Sequence, residues 1–459
     1  MRIAGCLVAV VTLFLAGGGF TLACWRGTRS ILLAELLGLG WMVGAGIVSL
    51  LLVLGGLAFS GPVLLCGVTA LCLLLGLVGA RKIQRGLRVE IGYADARPWE
   101  KWLGLLLLFP IFYIGYASFR DAMVFDGLIN WEAKARHAFL AGGSLPASYF
   151  TDATRAAYHP RYPLYLPFSE LWIYLWAGDC DQTLVKILFP IFYAAAILLL
   201  WSSVVRLTGR VWAATLTSLL PIAVPLMADH GFGLVQGYAD FPLAAMYLAG
   251  IGALLAWRLK GLEAGWGVAV ICAALLPWIK QDGILLLASL LAVAALVHGS
   301  SQWRRFVIFA LPGIAIALFW RLAMHWVHAA GEPGFQPVTA GTLAQNLPRF
   351  GTIVRFMGDR LSTPRIWSLL WYWVPVALIS LGWRQRRLAL WLSVAVFLPL
   401  VLDIPAYLFT ALDLQFHLNT SFDRLALQIS LVTVLCLGLA LARPPSAEPP
   451  HSAQPAEGT

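Results

Sequence analysis

The sequence predicts an all-α polytopic membrane protein, and three observations carry that expectation. Hydrophobic residues make up 60% of the chain and charged residues 12%, with a mean hydropathy of +0.81. A soluble domain is roughly half apolar and about a quarter charged, so this chain has more apolar surface than a water-facing exterior accommodates. The apolar runs over 31–59, 184–205, 306–325 and 388–410 reach the roughly 20 residues that cross about 30 Å of hydrocarbon. Their backbone is expected to be helical, because an unpaired peptide group in lipid is costly. Finally, the basic residues gather in short connections between apolar runs, as the positive-inside tendency requires.

Those clusters set the order of the elements. Arg26/Arg29, Arg81/Lys82/Arg85/Arg88, Arg206/Arg210, Arg258/Lys260, Arg304/Arg305 and Arg384/Arg386/Arg387 mark cytoplasmic connections. Two spans fit between neighbouring clusters. The expected spans are 5–24, 31–56, 61–80, 101–118, 183–205, 211–229, 239–256, 264–279, 283–298, 306–325, 366–383, 388–410 and 424–442, about thirteen in all. Met1-Arg2 and the following apolar stretch resemble a lipoprotein leader only loosely, so a retained first span is expected.

Residues 1–98 therefore form a block of N-terminal helices and 99–442 a second transmembrane region. Residues 443–459, rich in Pro, Ala, Ser and Glu, are expected to be a disordered cytoplasmic tail. The long loop 119–162, the loops 326–365 and 411–423, and the shorter 229–240 face the non-cytoplasmic side. Counting 163–177 as a span would break the charge alternation, and it is short. It is read as a helix on, or dipping into, the outer surface, with Trp172, Tyr174 and Trp176 suited to the headgroup layer.

The net charge of +10 would suggest a nucleic-acid partner in a soluble protein. Here membrane orientation accounts for it, and no nucleic acid is expected. Seven cysteines lie mostly in apolar runs, with neither a metal-ligand spacing nor a disulfide framework.

Chemistry is expected in loop 119–162. Asp126 follows the end of a span and precedes Gly127, where a carboxylate can serve as a general base at the membrane surface. Trp131 and Lys134 follow on a short helix, and the plainest reading of that helix is a solvated amphipathic one with interfacial anchors. The stretch His159-Pro160-Arg161-Tyr162-Pro163 is stiff. His159 and Arg161 there either contact a phosphate or sugar, or hold a rigid turn. Asp240 opens one later span, and Lys280 and Asp282 sit between two others; ionisable groups at membrane depth are functional by default. Pairing of Lys280 with Asp282 or Asp240, to pin the bundle, is the alternative. Arg321 and Arg424 add positive charge on the same face, suiting a phosphate-bearing lipid headgroup.

These residues resemble the GT-C superfamily of membrane glycosyltransferases, such as protein O-mannosyltransferases and aminoarabinose transferases, and more narrowly the RgtA/B/C/D-like bacterial relatives. Asp126 matches the acid of the family's first large outer loop. His159–Leu164 matches its His-Pro…Pro-Leu stretch, Ala239–Leu243 its Ala-Asp-x-Pro-Leu motif, and Lys280–Gly283 its Lys, acid and Gly. The resemblance covers roughly 100–325, with a looser echo at 417–424. The chain departs from the family by setting extra spans ahead of the motif loop. It also has no second acid beside Asp126, so a divalent metal is not supported and no cofactor is expected.

The resemblance implies inverting sugar transfer from a polyprenyl-phosphate donor to a glycan, lipid or protein acceptor at a bacterial inner membrane, on the periplasmic side. Asp126 would be the base. Lys280, Arg321 and Arg424 would meet the donor phosphate, and Trp131, Lys134, His159, Arg161, Asp240 and Asp282 the substrates. Two other readings stand beside it: a transporter or flippase for a lipid-linked saccharide, and a surface-polysaccharide ligase or polymerase.

Overall fold

The computed structural model describes residues 1–92, 96–228, 233–299, 302–331 and 334–442. The expected tail 443–459 and part of loop 229–240 lie outside the described residues. Among the described residues, nine helices are long and apolar enough to cross a membrane. They are α1 (Arg2–Cys24), α2 (Leu33–Gly55), α3 (Gly61–Gln84), α4 (Pro98–Arg120), α7 (Gln182–Thr208), α9 (Asp240–Lys260), α12 (Trp303–Trp326), α15 (Arg386–Leu408) and α16 (Leu414–Ala442). The other four expected spans fall on shorter apolar helices: α8 (Val211–Ala223), α10 (Glu263–Ile279), α11 (Gly283–His298) and α14 (Leu370–Gly382). The chain is thus an all-α integral membrane protein in which nine crossings, rather than thirteen, follow from length and composition. In two of them the regular helix gives way near its end: Leu220–Ala223 of α8 tightens to a 3₁₀ turn, and Pro277 sits in the last turn of α10.

Apolar contact between helices gains little in lipid, so small residues decide where backbones meet. A Cβ on Gly44 of α2 would lie 2.0 Å from the Leu13 carbonyl oxygen of α1. That approach lets α1, α2 and α3 pack as one group. A three-residue parallel ladder, Ser30–Leu32 with Arg88–Glu90, ties the α1–α2 connection to the α3–α4 connection. At the same end Arg206 of α7 pairs with Glu35 of α2 at 2.9 Å. All seven cysteines are free thiols.

Between α4 and α7 the chain forms a π-helical turn over Gly127–Glu132, α5 (Ala133–Leu140) and α6 (Tyr165–Ala177). The expectation that the aromatic rings of α6 face lipid headgroups is corrected here. Tyr165 through Tyr174 are all buried, because α6 packs into the angle between α1, α2 and α5. The Trp172 indole donates to Thr12 Oγ1 at 3.0 Å, the Tyr165 hydroxyl to the Met42 carbonyl at 2.8 Å, and the Tyr174 hydroxyl to Glu132 at 2.8 Å. These three polar tips find their partners inside the protein and need no water, whereas Trp176, in the last turn, is only half-buried and its indole N–H has no such partner among the described residues.

The solvated reading of the preceding helix is corrected too. Trp131 and Lys134 are fully buried. The Lys134 ammonium donates to the carbonyls of Asn130 at 2.6 Å and His159 at 2.9 Å. It also lies 5.5 Å and 5.6 Å from the ring centres of Trp131 and Tyr162. His159 stacks on Tyr162 at 4.5 Å and takes a left-handed backbone with φ of 46°, which aims its carbonyl at Lys134. Lys134 therefore fastens the far limb of the loop to the near one.

Candidate functional site

The site lies where the loop carrying Asp126 meets the ends of α9, α10, α11, α15 and α16. Local backbone explains how Asp126 arrives there. Phe125 has a φ of 43°, a sparsely populated conformation for a bulky residue. The π-helical turn starts immediately after Asp126, and such turns recur at functional positions. Gly127 lies so close to the 3₁₀ turn Leu234–Gln236 before α9 that a Cβ on it would sit 1.8 Å from the Gln236 carbonyl oxygen. Only glycine permits that contact, and it sets Asp126 beside Tyr238 and Asp240.

Asp240 is the hub. It is fully buried in the first turn of α9, where the helix dipole favours a carboxylate. It accepts from Lys280 Nζ at 2.7 Å, Gln428 Nε2 at 2.7 Å and Arg424 Nε at 3.2 Å. Lys280 stands in extended backbone between α10 and α11 and also pairs with Asp282 at 2.7 Å. Arg424 reaches the other way, through Nη1, to Asp126 Oδ2. Its guanidinium lies 4.9 Å over the Tyr238 ring. Burial, then the Asp126 and Asp240 charges, push the Tyr238 phenol up to about 12, so that hydroxyl keeps its proton. Asp126 and Asp282 retain 29% and 28% side-chain exposure, whereas Asp240 has none. The network thus has a sealed floor and two carboxylates at its open rim.

The structure therefore joins Asp126, Asp240, Lys280, Asp282 and Arg424 in one hydrogen-bonded chain. One further hydrogen-bonded member, Gln428, and one buried neighbour, Asp403, were not anticipated from sequence. Gln428 lies one helical turn beyond Arg424, on the same face of α16. Asp403 is buried in α15, within electrostatic reach of Asp282 and Lys280. Both are polar residues within apolar runs, and that is the signal that could have found them. Asp423, next to Arg424, forms a two-pronged pair with Arg360 of α13 (Phe350–Leu361), the closest contact being 2.6 Å.

The remaining expected residues lie elsewhere. Trp131, Lys134 and His159 form the packed support behind the loop. Arg161 and Arg321 line a separate cavity of about 330 Å³, which adjoins the network through Gln281. Electrostatics divides the basic residues in the same way. Lys280 and Arg424 already face Asp126, Asp240 and Asp282, three carboxylates to two cations. A phosphate would meet net negative charge there. Their geometry suits holding carboxylates in place, and the expectation that they bind a donor phosphate is revised accordingly. Among the described residues, no group of three or more His, Cys, Asp or Glu side chains is arranged to hold a metal ion. The chemistry open to the site is proton transfer at Asp126, next to buried fixed charges. No family model, curated protein or solved structure matches the chain.

Proposed function

We propose that the protein is an inverting membrane glycosyltransferase. It moves a sugar from a polyprenyl-phosphate donor to a hydroxyl of a glycan, lipid or protein acceptor, on the non-cytoplasmic face of a bacterial plasma membrane. On this reading the four short apolar helices also cross, giving thirteen spans. One observation carries the proposal: acids and bases from distant segments of the chain meet at one end of the bundle, with Asp126 at the rim.

In the transfer, the acceptor oxygen attacks the anomeric carbon from the face opposite the phosphate. Asp126 takes the hydroxyl proton. The bond between anomeric carbon and phosphate oxygen breaks, and its electron pair leaves with the lipid phosphate. A positioned base contributes typically a hundred- to ten-thousand-fold. Asp126→Asn keeps the shape and removes the base, so turnover should fall about a hundredfold or more. The assay is release of lipid phosphate from labelled polyprenyl-phosphate sugars in membranes containing the wild-type or variant chain. Full turnover by the variant rejects Asp126 as base. Movement of intact donor across the bilayer, without bond cleavage, rejects glycosyl transfer in favour of a flippase.

A further inference from the structure

The cavity beside the network has its own electrostatic character. Its walls are Arg161 and Pro163 from the loop, Pro277 from α10, Gln281 and Ile284 around the start of α11, and a face of α12 carrying Trp320, Arg321 and His325. Arg321 and His325 are one turn apart and so share a face of α12. Among the described residues, no acidic side chain lines the cavity. Among the described residues, neither arginine forms a salt bridge. Arg161 spends one Nη2 bond on the Ala329 carbonyl at 2.5 Å. The Trp320 indole holds the Arg161 carbonyl at 2.7 Å, which fixes where that arginine starts. Two exposed guanidiniums with no acidic partner among the described residues, lining one open pocket, form an anion site by charge and by fork-shaped donor geometry.

The surroundings narrow the anion's class. α12 is among the most outward-facing helices, with Ile314, Leu318, Phe319 and Leu322 exposed on it. A headgroup in the cavity would leave its apolar tail lying along that surface in the lipid. Gln281 stands between Lys280 and Asp282, so the anion would rest one backbone step from the network's sealed floor.

We propose that this cavity seats the phosphate of a single-chain lipid phosphate, held by Arg161 and Arg321 with Gln281 and His325 beside it. The phosphate then lies apart from Lys280 and Arg424. The inference deepens the transferase reading by assigning its donor's headgroup to these residues, and its test reads binding alone.

The experiment measures retention of geranylgeranyl phosphate by the full chain in detergent micelles, using native mass spectrometry. Comparison probes are geranylgeraniol, inorganic phosphate and phosphatidylglycerol. The expected result is binding of the prenyl phosphate, displacement by excess inorganic phosphate, and much weaker retention of the alcohol and of phosphatidylglycerol. Arg161→Gln and Arg321→Gln should each weaken binding about tenfold, as loss of a charge-assisted contact does. Arg321→Lys should recover part of it, and Arg355→Gln, on exposed α13 surface outside the cavity, should leave it unchanged. A monodisperse elution profile for each variant keeps misfolding from passing as lost affinity. Wild-type binding by the Arg161→Gln/Arg321→Gln double variant overturns the assignment. So does equal retention of the alcohol, which would make the site apolar, or of phosphatidylglycerol, which would make it a general anionic-lipid site. Binding through these arginines by a chain that transfers no sugar leaves the cavity assigned and rejects only the transferase reading.

Discussion

Asp240→Asn is the sharpest test of the buried network. The substitution keeps the shape of the side chain and removes its charge. Asp240 has no exposed side-chain surface and accepts from Lys280 at 2.7 Å, Gln428 at 2.7 Å and Arg424 at 3.2 Å. An amide offers one acceptor oxygen in place of two and points an NH₂ group at a donor. Breaking a buried charge pair by removing one partner costs about 3–5 kcal/mol, because the other charge stays desolvated. Here Lys280 retains Asp282 and Arg424 retains Asp126, so the lower half of that range is expected. Reversible unfolding in mixed micelles measures it. Arg120→Gln serves as the control, since its 2.7 Å pair with Asp121 is exposed by 47% and 32% and such pairs contribute at most about 1 kcal/mol. Combining Asp240→Asn with Lys280→Met removes both charges and should cost less than the sum of the single changes. Two results refute the reasoning: a cost for Asp240→Asn no larger than the control's, or strict additivity in the double variant. Either would mean the network is hydrated and its members independent.

Further outcomes follow from the loop. Glu170 on α6 is fully buried with neither carboxylate oxygen hydrogen-bonded. Burial first, then the Glu132 charge, push its carboxyl well above the usual range, against the opposing pull of Lys134. A carboxyl raised in the fold stabilises fully below its unfolded pKa, and that contribution is lost as pH rises toward the folded value. Glu170→Gln should therefore stabilise the protein at pH 7–8, change little near pH 4, and flatten the decline between, as read by thermal unfolding across pH. A wild-type slope that persists in the variant counts against a neutral Glu170. Gly127→Ala should displace the Asp126 loop, since the new Cβ meets the Gln236 carbonyl at 1.8 Å. Its signature is faster proteolysis or hydrogen exchange over 121–132, at little cost to the helices farther away.

The sequence conveys the rim of the site better than its interior. Asp126, Asp240, Lys280, Asp282 and Arg424 are readable because each interrupts or borders an apolar run, where a charge needs a reason. Their mutual contacts are not readable, since 298 residues separate Asp126 from Arg424. Asp403 and Gln428 escape notice because a single polar residue hardly dents the hydropathy of a long run. α6 misleads for a different reason. Trp and Tyr pair an apolar body with a polar tip, and that pattern fits both a membrane interface and a hydrogen-bonded interior. What decides between them is Thr12, 160 residues from Trp172. Lys134 misleads likewise, because its role depends on a carbonyl 25 residues away that a left-handed His159 turns inward.

The wiring of the network also constrains how the chain assembles during synthesis. Asp240 and Lys280 are 40 residues apart, so each finds the other soon after both helices leave the ribosome. Asp126 emerges much earlier and waits for Arg424, near the start of the final described helix. Until then the Asp126 carboxylate lacks the guanidinium it meets in the fold, although Gly127 can already pack on the Gln236 carbonyl. Insertion of α16, the last of the described helices, therefore completes the charged centre. A chain halted before α16 would keep most of its apolar helices, and the neutral Asp240–Lys280 couple with them, yet lack the contact that fixes Asp126.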